Sequence, residues 1–394
     1  MTDDLPLPDP VARMHSERVV ACARAEIAAG GGFIGFERYM EIVLYAPGLG
    51  YYVAGARKLG GEGDFVTAPE LTPLYGAALA RQIGSILDAT GTRDVIELGA
   101  GSGALAHAIL ARFDADDRAD ARLPRRNPPL RYSILEVSPE LRARQQATLA
   151  DDAAPAVAPA QWFETLPSSI DGVVLLNEVL DALPPRVIAR RQGAWRERGV
   201  TWKGAALAWA ERPLDDPRMQ ALACTRFPDE GDYVSEINPA AEALVASLAR
   251  RLHHGAILIV DYGFPRAEYF HPQRTEGTLV GHYRHRVHAD PFLWPGLSDL
   301  TAHVDFTAIA EAAESAGLRV AGFATQTSFL LGCGILDRLT AVGTPDSLAY
   351  LREAAAVQKL VSPAEMGELF KVMLLAPESR AWQSLAVTDL AHRL

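Results

Sequence analysis

The stretch that most constrains the fold runs from Asp94 to Leu110 and holds three glycines within five residues. An apolar, strand-like run, Val95–Leu98, leads directly into Gly99-Ala100-Gly101-Ser102-Gly103, and helix-like apolar spacing follows. Strand, glycine turn and helix open the nucleotide-binding α/β folds, because a turn without Cβ atoms lets a ligand approach the backbone. The helix N-terminus then offers N–H groups to a polar part of the ligand. We therefore predict an α/β protein whose Gly99, Gly101 and Gly103 bind a nucleotide-like molecule.

Two glutamates indicate which nucleotide-like molecule this is. Glu97 precedes the first glycine by two residues, and Glu136 ends the next predicted strand. A carboxylate at Glu97 would repel a pyrophosphate but attracts the amino group of a methionine moiety, whereas Glu136 suits ribose hydroxyls in either class of ligand. The alternative, that both acids only end strands at the surface, is less favoured because strand ends deliver residues to the ligand crevice. The pattern favours S-adenosylmethionine over a dinucleotide.

Another pair of acids follows a second apolar run. Gly172–Leu176 is typical of a strand buried on both faces, and it leads into Asn177, Glu178 and, three residues later, Asp181. Carboxylates at this spacing share one face of a helical turn and could hold a planar guanidinium group. They could also leave one of its nitrogens richer in electrons and aimed at a methyl carbon. The alternative is structural, with Asp181 capping a helix and Glu178 pairing with an arginine.

Histidines supply one further candidate and one pattern that we set aside. His303 lies between Asp299 and Asp305, where it could orient a substrate or accept a proton, or could simply be tied to one of those acids. The set of His282, His285 and His288 is spaced like metal ligands, but Arg284 and Arg286 lie between them and would repel a cation. We predict no metal site.

The rest of the chain predicts a core with insertions. Residues 1–90 are interpreted as an N-terminal helical segment and a glycine-rich loop that covers the cofactor. The core is predicted over 91–185, 232–263 and 301–394. Two inserted, substrate-side elements are predicted at 186–231 and 264–300. Short apolar runs from Arg186 to Ala210 indicate an antiparallel hairpin or meander in the first insertion, whereas a long irregular segment is predicted for the other.

The charge and the cysteine content indicate which partners and which cellular compartment to expect. The net charge of −11 argues against a broad nucleic-acid surface, which needs an excess of Lys and Arg. Cys22, Cys224 and Cys333 lie far apart, which indicates a reducing environment, and no apolar run approaches membrane-spanning length. The acidic first residues lack the features of a secretory signal or a transit peptide. These observations predict a cytoplasmic protein without nucleic-acid or membrane partners.

With these residues assembled, the chain resembles the MidA-like family of class I S-adenosylmethionine-dependent methyltransferases over nearly its full length. The glycine segment is general to class I methyltransferases, whereas GDFVTAPE, NEVLDALP and DLTAHVDF are far more specific. The matching segments are GLGYY (48–52), GDFVTAPE (63–70), ELGAGSGAL (97–105), LEVSPEL (135–141), NEVLDALP (177–184), VDYG (260–263), PGLSDLTAHVDF (295–306) and MGELFKVMLLAP (366–377).

The resemblance implies a mostly parallel, seven-stranded sheet with an N-terminal helical segment and an inserted antiparallel or irregular substrate region. It also implies arginine methylation of a protein substrate, with symmetric dimethylation of a respiratory complex I subunit in a mitochondrial relative. Glu178 and Asp181 would face the substrate, with His303 as a third catalytic candidate. The residues implied at the cofactor are Asp64, Thr67, Pro69, Glu97, Gly99, Gly101, Gly103, Glu136 and Asn177.

Other functions remain open from the sequence. A non-catalytic assembly factor that binds a partner protein is one, although the presence of both Glu178 and Asp181 argues mildly against it. A small-molecule methyltransferase is another. A nicotinamide-dependent oxidoreductase is disfavoured by Glu97, and the chain has neither a Gly-x-Ser-x-Gly elbow nor a Walker motif, which weakens hydrolase and NTPase interpretations.

Overall fold

A computed structural model of the chain describes residues 5–53, 67–119, 130–150, 160–377 and 384–394. The described α-helices are α1 (Pro10–Ala29), α2 (Phe36–Tyr45), α3 (Ala68–Leu71), α4 (Pro73–Thr90), α5 (Ala104–Ala119), α6 (Pro139–Ala150), α7 (Pro217–Arg226), α8 (Pro239–Ala249), α9 (Arg266–Tyr269), α10 (Phe306–Glu314), α11 (Gln326–Gly332), α12 (Ile335–Thr340) and α13 (Leu348–Val361).

The described strands alternate with these helices over much of the chain. They are β1 (Ile34–Gly35), β2 (Asp94–Leu98), β3 (Arg131–Leu135), β4 (Gln161–Phe163), β5 (Ile170–Asn177), β6 (Arg186–Arg191), β7 (Ala194–Lys203), β8 (Ala206–Pro213), β9 (Tyr233–Ile237), β10 (Leu252–Phe264), β11 (Val280–Tyr283), β12 (Arg286–His288), β13 (Asp299–Thr301), β14 (Val304–Asp305), β15 (Leu318–Thr325) and β16 (Phe370–Pro377). The prediction of an α/β protein is confirmed.

The elements form two compact units. The first unit contains the described residues up to position 65 together with Asp181–Glu242 and Pro265–Asp305. The second unit contains the described residues of 66–180 together with Ala243–Phe264 and the described residues from Phe306 onward. Both units are therefore assembled from segments that are far apart in the sequence.

The second unit is built on a mostly parallel sheet. Its strands lie in the order β15-β16-β10-β5-β2-β3-β4, in which β16 runs antiparallel to both of its neighbours. The pairs β10–β5, β5–β2, β2–β3 and β3–β4 are all parallel. Strand β5 is buried along almost its whole length, as its continuous apolar run predicted. The parallel arrangement brings the carboxyl ends of β2, β3 and β5 to the same edge.

Local sequence explains how the helix before β2 begins and ends. The Thr72 hydroxyl accepts a hydrogen bond from the N–H of Leu74 at 3.0 Å, and Pro73 occupies the first helical position of α4. Gly91 ends the helix in a left-handed conformation, with a φ of 70°. The buried face of α4, which includes Leu79 and Ile83, joins the core of this unit.

The first unit consists of antiparallel sheets and the two N-terminal helices. One sheet has the order β1-β7-β6-β9, with β8 also paired to β7, so the predicted meander is confirmed. Helices α1 and α2 contribute Val19 and Tyr39 to its core. A small sheet of order β12-β11-β13 occupies much of the segment that the sequence predicted to be irregular. Its strands have only three or four residues, too few to give a recognisable alternation.

Within the described residues, no helix combines enough length with enough apolar character to cross a bilayer.

Candidate functional site

The glycine turn lies at the carboxyl end of β2 and leads into α5. Gly99, Gly101 and Gly103 have φ angles of 63°, 54° and 86°, a region in which a residue with a Cβ atom is strained. A Cβ on Gly99 would also lie 3.3 Å from Cγ2 of Val179, the second residue after β5. The three left-handed residues therefore produce a sharp turn whose backbone can contact a ligand directly.

Glu136 follows β3 and is fixed beside this turn. Its Oε1 accepts the N–H of Ser138 at 2.8 Å, and its Oε2 accepts the side-chain amide of Gln145 at 2.9 Å. The same amide nitrogen donates to the carbonyl of Gly101 at 3.1 Å, while Trp162 donates to the Gln145 oxygen at 2.9 Å. Burial raises the pKa of Glu136, and these hydrogen bonds oppose that effect. One glutamine thus links the carboxylate to the turn.

Glu97 is buried at the end of β2, with 2% of its surface exposed. Its Oε2 accepts the hydroxyl hydrogen of Tyr132 at 2.8 Å. Burial raises the pKa of the Glu97 carboxyl to about 7, and the hydrogen bond from Tyr132 acts in the opposite direction. The charge of this side chain therefore changes near neutral pH.

Short helix α3 is tied to the glycine turn through its acidic residue. Glu70 accepts a short hydrogen bond from the Ser102 hydroxyl. Thr67 is the N-cap residue immediately before α3, and Pro69 lies in the single turn of this helix, so both predicted residues are within three positions of Glu70. Asp64, the third residue predicted to close over the cofactor, lies outside the described residues.

Asn177 and Glu178 lie at the carboxyl end of β5. The Tyr75 hydroxyl donates to Asn177 Oδ1 at 2.6 Å, and the Asn177 amide donates to Glu178 Oε1 at 3.2 Å. Glu178 has a φ of 54°, and its N–H donates to the carbonyl of Val260 at 2.9 Å. A non-glycine residue in this conformation costs about 1–2 kcal/mol, which is characteristic of functional sites.

Asp261 is a residue of this region that the sequence analysis missed. It is fully buried, and its Oδ2 accepts the N–H groups of Val179 at 3.2 Å and Leu180 at 2.9 Å. Its Oδ1 accepts the N–H of Tyr262 at 2.9 Å. Asp261 therefore holds the backbone that follows Glu178. An acid directly after the buried apolar run of β10 was the available signal.

The other two catalytic candidates, Asp181 and His303, belong to the first unit. Asp181 is 4% exposed, and its carbonyl accepts the N–H of Ala302 at 3.1 Å. His303 is half-buried, and its backbone N–H donates to the Thr278 hydroxyl at 3.0 Å. Glu178 belongs to the second unit, whereas Asp181 and His303 belong to the first. Within the first unit, the bond from Ala302 to Asp181 brings the segment that contains His303 next to Asp181. A group of three or more His, Cys, Asp or Glu that could hold a metal ion does not occur among the described residues.

The second-unit residues fit a nucleoside that carries an amino acid. Gly99, Gly101 and Gly103 give the turn a left-handed backbone that a ligand can approach closely. The fixed Glu136 carboxylate is the type of acceptor that ribose hydroxyls bind, and Glu97 is a carboxyl group that can carry a negative charge, which attracts an α-amino group. This combination matches S-adenosylmethionine in the chemistry of its donors and acceptors.

Comparisons with known proteins also indicate S-adenosylmethionine as the cofactor. Residues 78–324 match the sequence profile of a family described as S-adenosyl-L-methionine-dependent methyltransferases. The mitochondrial protein arginine methyltransferase NDUFAF7 of Mus musculus is 30% identical over 89% of this chain and 82% of its own length. Its Drosophila melanogaster homologue is 29% identical over 90% of this chain and 84% of its own.

A solved structure resembles the whole chain. The crystal structure of a protein from Burkholderia thailandensis bound to S-adenosyl-homocysteine is 46% identical in sequence. The match has a TM-score of 0.92 and covers 99% of this chain and all of that chain. The similarity therefore extends across both units.

The names of the relatives correct the prediction of a cytoplasmic location. The arginine methyltransferases of Mus musculus, Homo sapiens and Drosophila melanogaster are all named as mitochondrial proteins. The prediction depended partly on three widely separated cysteines. Unpaired cysteines indicate a reducing environment, and this property does not single out one compartment.

The raised pKa of Glu97 predicts a pH-dependent affinity for the cofactor product. We expect the affinity for S-adenosylhomocysteine to fall about tenfold from pH 7 to pH 5.5, as the Glu97 carboxylate gains a proton. The α-amino group of the ligand stays protonated over this range, because its ordinary pKa is near 8. Calorimetric titration at several pH values measures the effect.

The matched variant is Glu97→Gln, which keeps the shape of the side chain and cannot titrate. Its affinity should be constant across the same range and close to that of the wild type at the acidic end. Glu140→Gln, a change at an exposed acid of the same unit, should retain the wild-type profile. An equal pH dependence in Glu97→Gln would show that Glu97 does not bind the amino group.

Proposed function

The chain belongs to the family of S-adenosyl-L-methionine-dependent methyltransferases, and from this membership we propose that it methylates arginine side chains of a protein substrate. The enzyme class and the cofactor follow from the family itself. The substrate is our proposal, and it is supported by relatives that are named protein arginine methyltransferases.

The observation that carries the proposal is the conformation of Glu178. The Glu178 carboxylate accepts the side-chain amide of Asn177, while the left-handed backbone of Glu178 donates its N–H to the carbonyl of Val260. The next residue, Val179, lies against the glycine turn at Gly99. Backbone strain at this position is best explained by a function of the side chain.

The cofactor supplies a methyl group on a sulfonium centre, and the protein must present a nitrogen to it. A guanidinium carries a permanent positive charge, so its nitrogens are poor nucleophiles unless a carboxylate draws that charge to one side. Glu178 is proposed to bind and orient the guanidinium in this way. For Asp181 and His303, the resemblance and the sequence alone support the proposed roles of a substrate-facing acid and a proton acceptor. Positioning for in-line displacement then contributes most of the rate.

We propose that the cofactor contacts the residues at the carboxyl ends of β2, β3 and β5. Further contacts are proposed for Asp64, Thr67 and Pro69, in the segment that the sequence predicts to cover the cofactor. The order of the strands, with β16 antiparallel near one edge, supports the assignment of a seven-stranded class I methyltransferase sheet. For the product of the reaction, we propose symmetric dimethylarginine on a respiratory complex I subunit. The proposed cofactor-binding residues are Asp64, Thr67, Pro69, Glu97, Gly99, Gly101, Gly103, Glu136 and Asn177.

The proposal predicts transfer of label from S-adenosylmethionine into protein arginine. The protein is incubated with methyl-labelled cofactor and a cell extract, and the extract proteins are hydrolysed and separated as amino acids. Label should appear in methylated arginine, and mass spectrometry then distinguishes symmetric from asymmetric dimethylation. An incubation without the enzyme gives the background.

Two other outcomes would contradict the proposal in different ways. Label confined to the low-molecular-weight fraction would identify a small-molecule methyltransferase. Cofactor binding with no label in any fraction would favour an assembly factor that only binds a partner protein.

A further inference from the structure

Two carboxylates and two stacked tyrosine rings meet in the first unit, and we call them the tyrosine–aspartate cluster. Its members are Tyr45, Tyr52, Asp181 and Asp299. The Tyr45 and Tyr52 rings stack with centroids 5.5 Å apart and an interplanar angle of 28°. The Tyr52 hydroxyl donates to Asp299 Oδ1 at 2.8 Å, and the Tyr45 hydroxyl donates to the carbonyl of Ala182 at 2.9 Å.

The chain folds back on itself to stack the two rings. After α2 ends, the N–H of Tyr51 donates to the carbonyl of Val43 at 2.8 Å, and that of Tyr52 donates to Leu44 at 2.9 Å. These bonds align the segment after Pro47 with the end of the helix. Tyr51, which is almost fully buried, packs edge-on against Tyr52 with ring centroids 5.2 Å apart. The tyrosines are therefore held in place before any ligand binds.

Both carboxylates belong to segments that the tyrosines contact. Asp299 accepts the Tyr52 hydroxyl, and Asp181 directly precedes Ala182, whose carbonyl accepts the Tyr45 hydroxyl. Burial raises the pKa of Tyr52 well above its ordinary value, and the charges of Asp299 and Asp181 act in the same direction. Asp181 is 4% exposed and Asp299 is 9% exposed, whereas the two tyrosine rings are half-buried. The acids thus lie deep in the unit, with the aromatic pair nearer to solvent.

Thr301 is an independent sign of a ligand. It follows Asp299 by two residues in β13, so both side chains leave the strand on the same face. Thr301 is 2% exposed, and its hydroxyl has no hydrogen-bond partner within the part of the chain that the structure describes. A buried hydroxyl without a partner is costly, and a ligand that donates a hydrogen bond removes this cost.

We propose that the tyrosine–aspartate cluster and Thr301 bind an arginine side chain of the protein substrate, an inference that rests on the proposed arginine methylation. A guanidinium is a planar cation with donors and no acceptor. Carboxylates accept its N–H groups in pairs, the Thr301 oxygen accepts another, and a tyrosine face attracts its charge. The cluster offers each of these partners.

The shape of the partners favours arginine over lysine. An ammonium group is a compact point charge that gains little from a flat stacked surface, whereas a guanidinium both stacks on an aromatic ring and bonds two oxygens in its plane. The stacked pair of Tyr45 and Tyr52 beside Asp299 matches the second geometry. The ratio of the Kd values for an arginine probe and a lysine probe therefore tests the inference directly.

The test measures binding of a small arginine probe to the full chain, independently of methyl transfer. We expect the wild type to bind Nα-acetyl-L-arginine amide with a Kd in the millimolar range and to bind the lysine analogue more weakly. Asp299→Asn should raise the Kd for the arginine probe about 10- to 100-fold, because it removes a charged acceptor. Tyr52→Phe keeps the ring and should have a smaller effect. Chemical-shift titration measures all of these constants.

Control measurements separate this inference from the proposed function. Affinity for S-adenosylhomocysteine should be unchanged in both variants, and Asp215→Asn, at an exposed acid of the same unit, should bind the probe as the wild type does. No probe binding by the wild type, or an unchanged Kd in Asp299→Asn and Tyr52→Phe, would overturn the inference. Arginine methylation with an unchanged substrate KM in both variants would overturn it too, while leaving the proposed function intact. Probe binding that the variants lose, without any arginine methylation, would instead refute the proposed function.

Discussion

Replacing Glu178 by glutamine is expected to lower kcat for methyl transfer about 100- to 1,000-fold, an effect typical of removing one preorganised electrostatic group. Glutamine has the size of glutamate and retains the oxygen that accepts the Asn177 amide, so the local geometry should persist. What is lost is the negative charge that draws the guanidinium charge to one side. Single-turnover measurements with labelled cofactor separate this effect on the reaction from changes in substrate binding.

Cofactor affinity and stability provide the controls for this experiment. Affinity for S-adenosylhomocysteine should stay near the wild-type value in Glu178→Gln, because the change removes a proposed substrate contact. Glu178→Gly should also lose activity but should not lower the unfolding midpoint, since glycine adopts the φ of 54° without strain. Glu140→Gln, at an exposed acid of the same unit, should retain full activity. A kcat for Glu178→Gln close to that of the wild type would remove the role assigned to this carboxylate.

Local patterns in the sequence predicted the parts of the site that lie on one strand–turn–helix unit. The turn from Gly99 to Gly103 and the glutamate after β3 are read from about ten residues each, because strand burial and glycine conformation are local properties. The buried strand β5 and the acids that follow it were predicted in the same way. These features fix the class of the cofactor.

Contacts between distant segments could not be predicted from the sequence. Tyr52 and Asp299 are 247 residues apart, and no periodic pattern links a glycine-rich loop to a three-residue strand. The left-handed backbone of Glu178 depends on the carbonyl of Val260 in the neighbouring strand, and Asp261 acts on backbone groups that lie 82 and 81 residues before it. Each of these contacts requires the completed packing of several segments.

Replacing Gly255 by alanine is expected to destabilise the second unit by about 4 kcal/mol or more, an effect at the upper end for a single substitution. Gly255 of β10 pairs with Gly172 of β5, and a Cβ on Gly255 would lie only 1.7 Å from the carbonyl oxygen of Gly172. Its φ of 129° is also unfavourable for alanine. The clash is with backbone, so no side-chain movement relieves it. Urea unfolding followed by circular dichroism measures the change, and a low yield of soluble protein would be the extreme form of the same result.

Gly84→Ala, a second glycine substitution in the same unit, is the control for Gly255→Ala. In Gly84→Ala the new Cβ would lie 3.5 Å from the Phe113 ring, an ordinary contact, in the interior of helix α4. Alanine is favoured over glycine in a helix by about 1 kcal/mol, so this variant should unfold at a higher urea concentration than the wild type.

If Gly255→Ala instead unfolded at the wild-type midpoint, β5 and β10 would have to separate at this pair without cost. The pairing of the same two strands ends at Asn177 and Val260, and Glu178 bonds to the Val260 carbonyl, so the close approach of the strands also determines where Glu178 is presented. A loss of stability at Gly255 should therefore be accompanied by a loss of methyl transfer at urea concentrations below the unfolding transition.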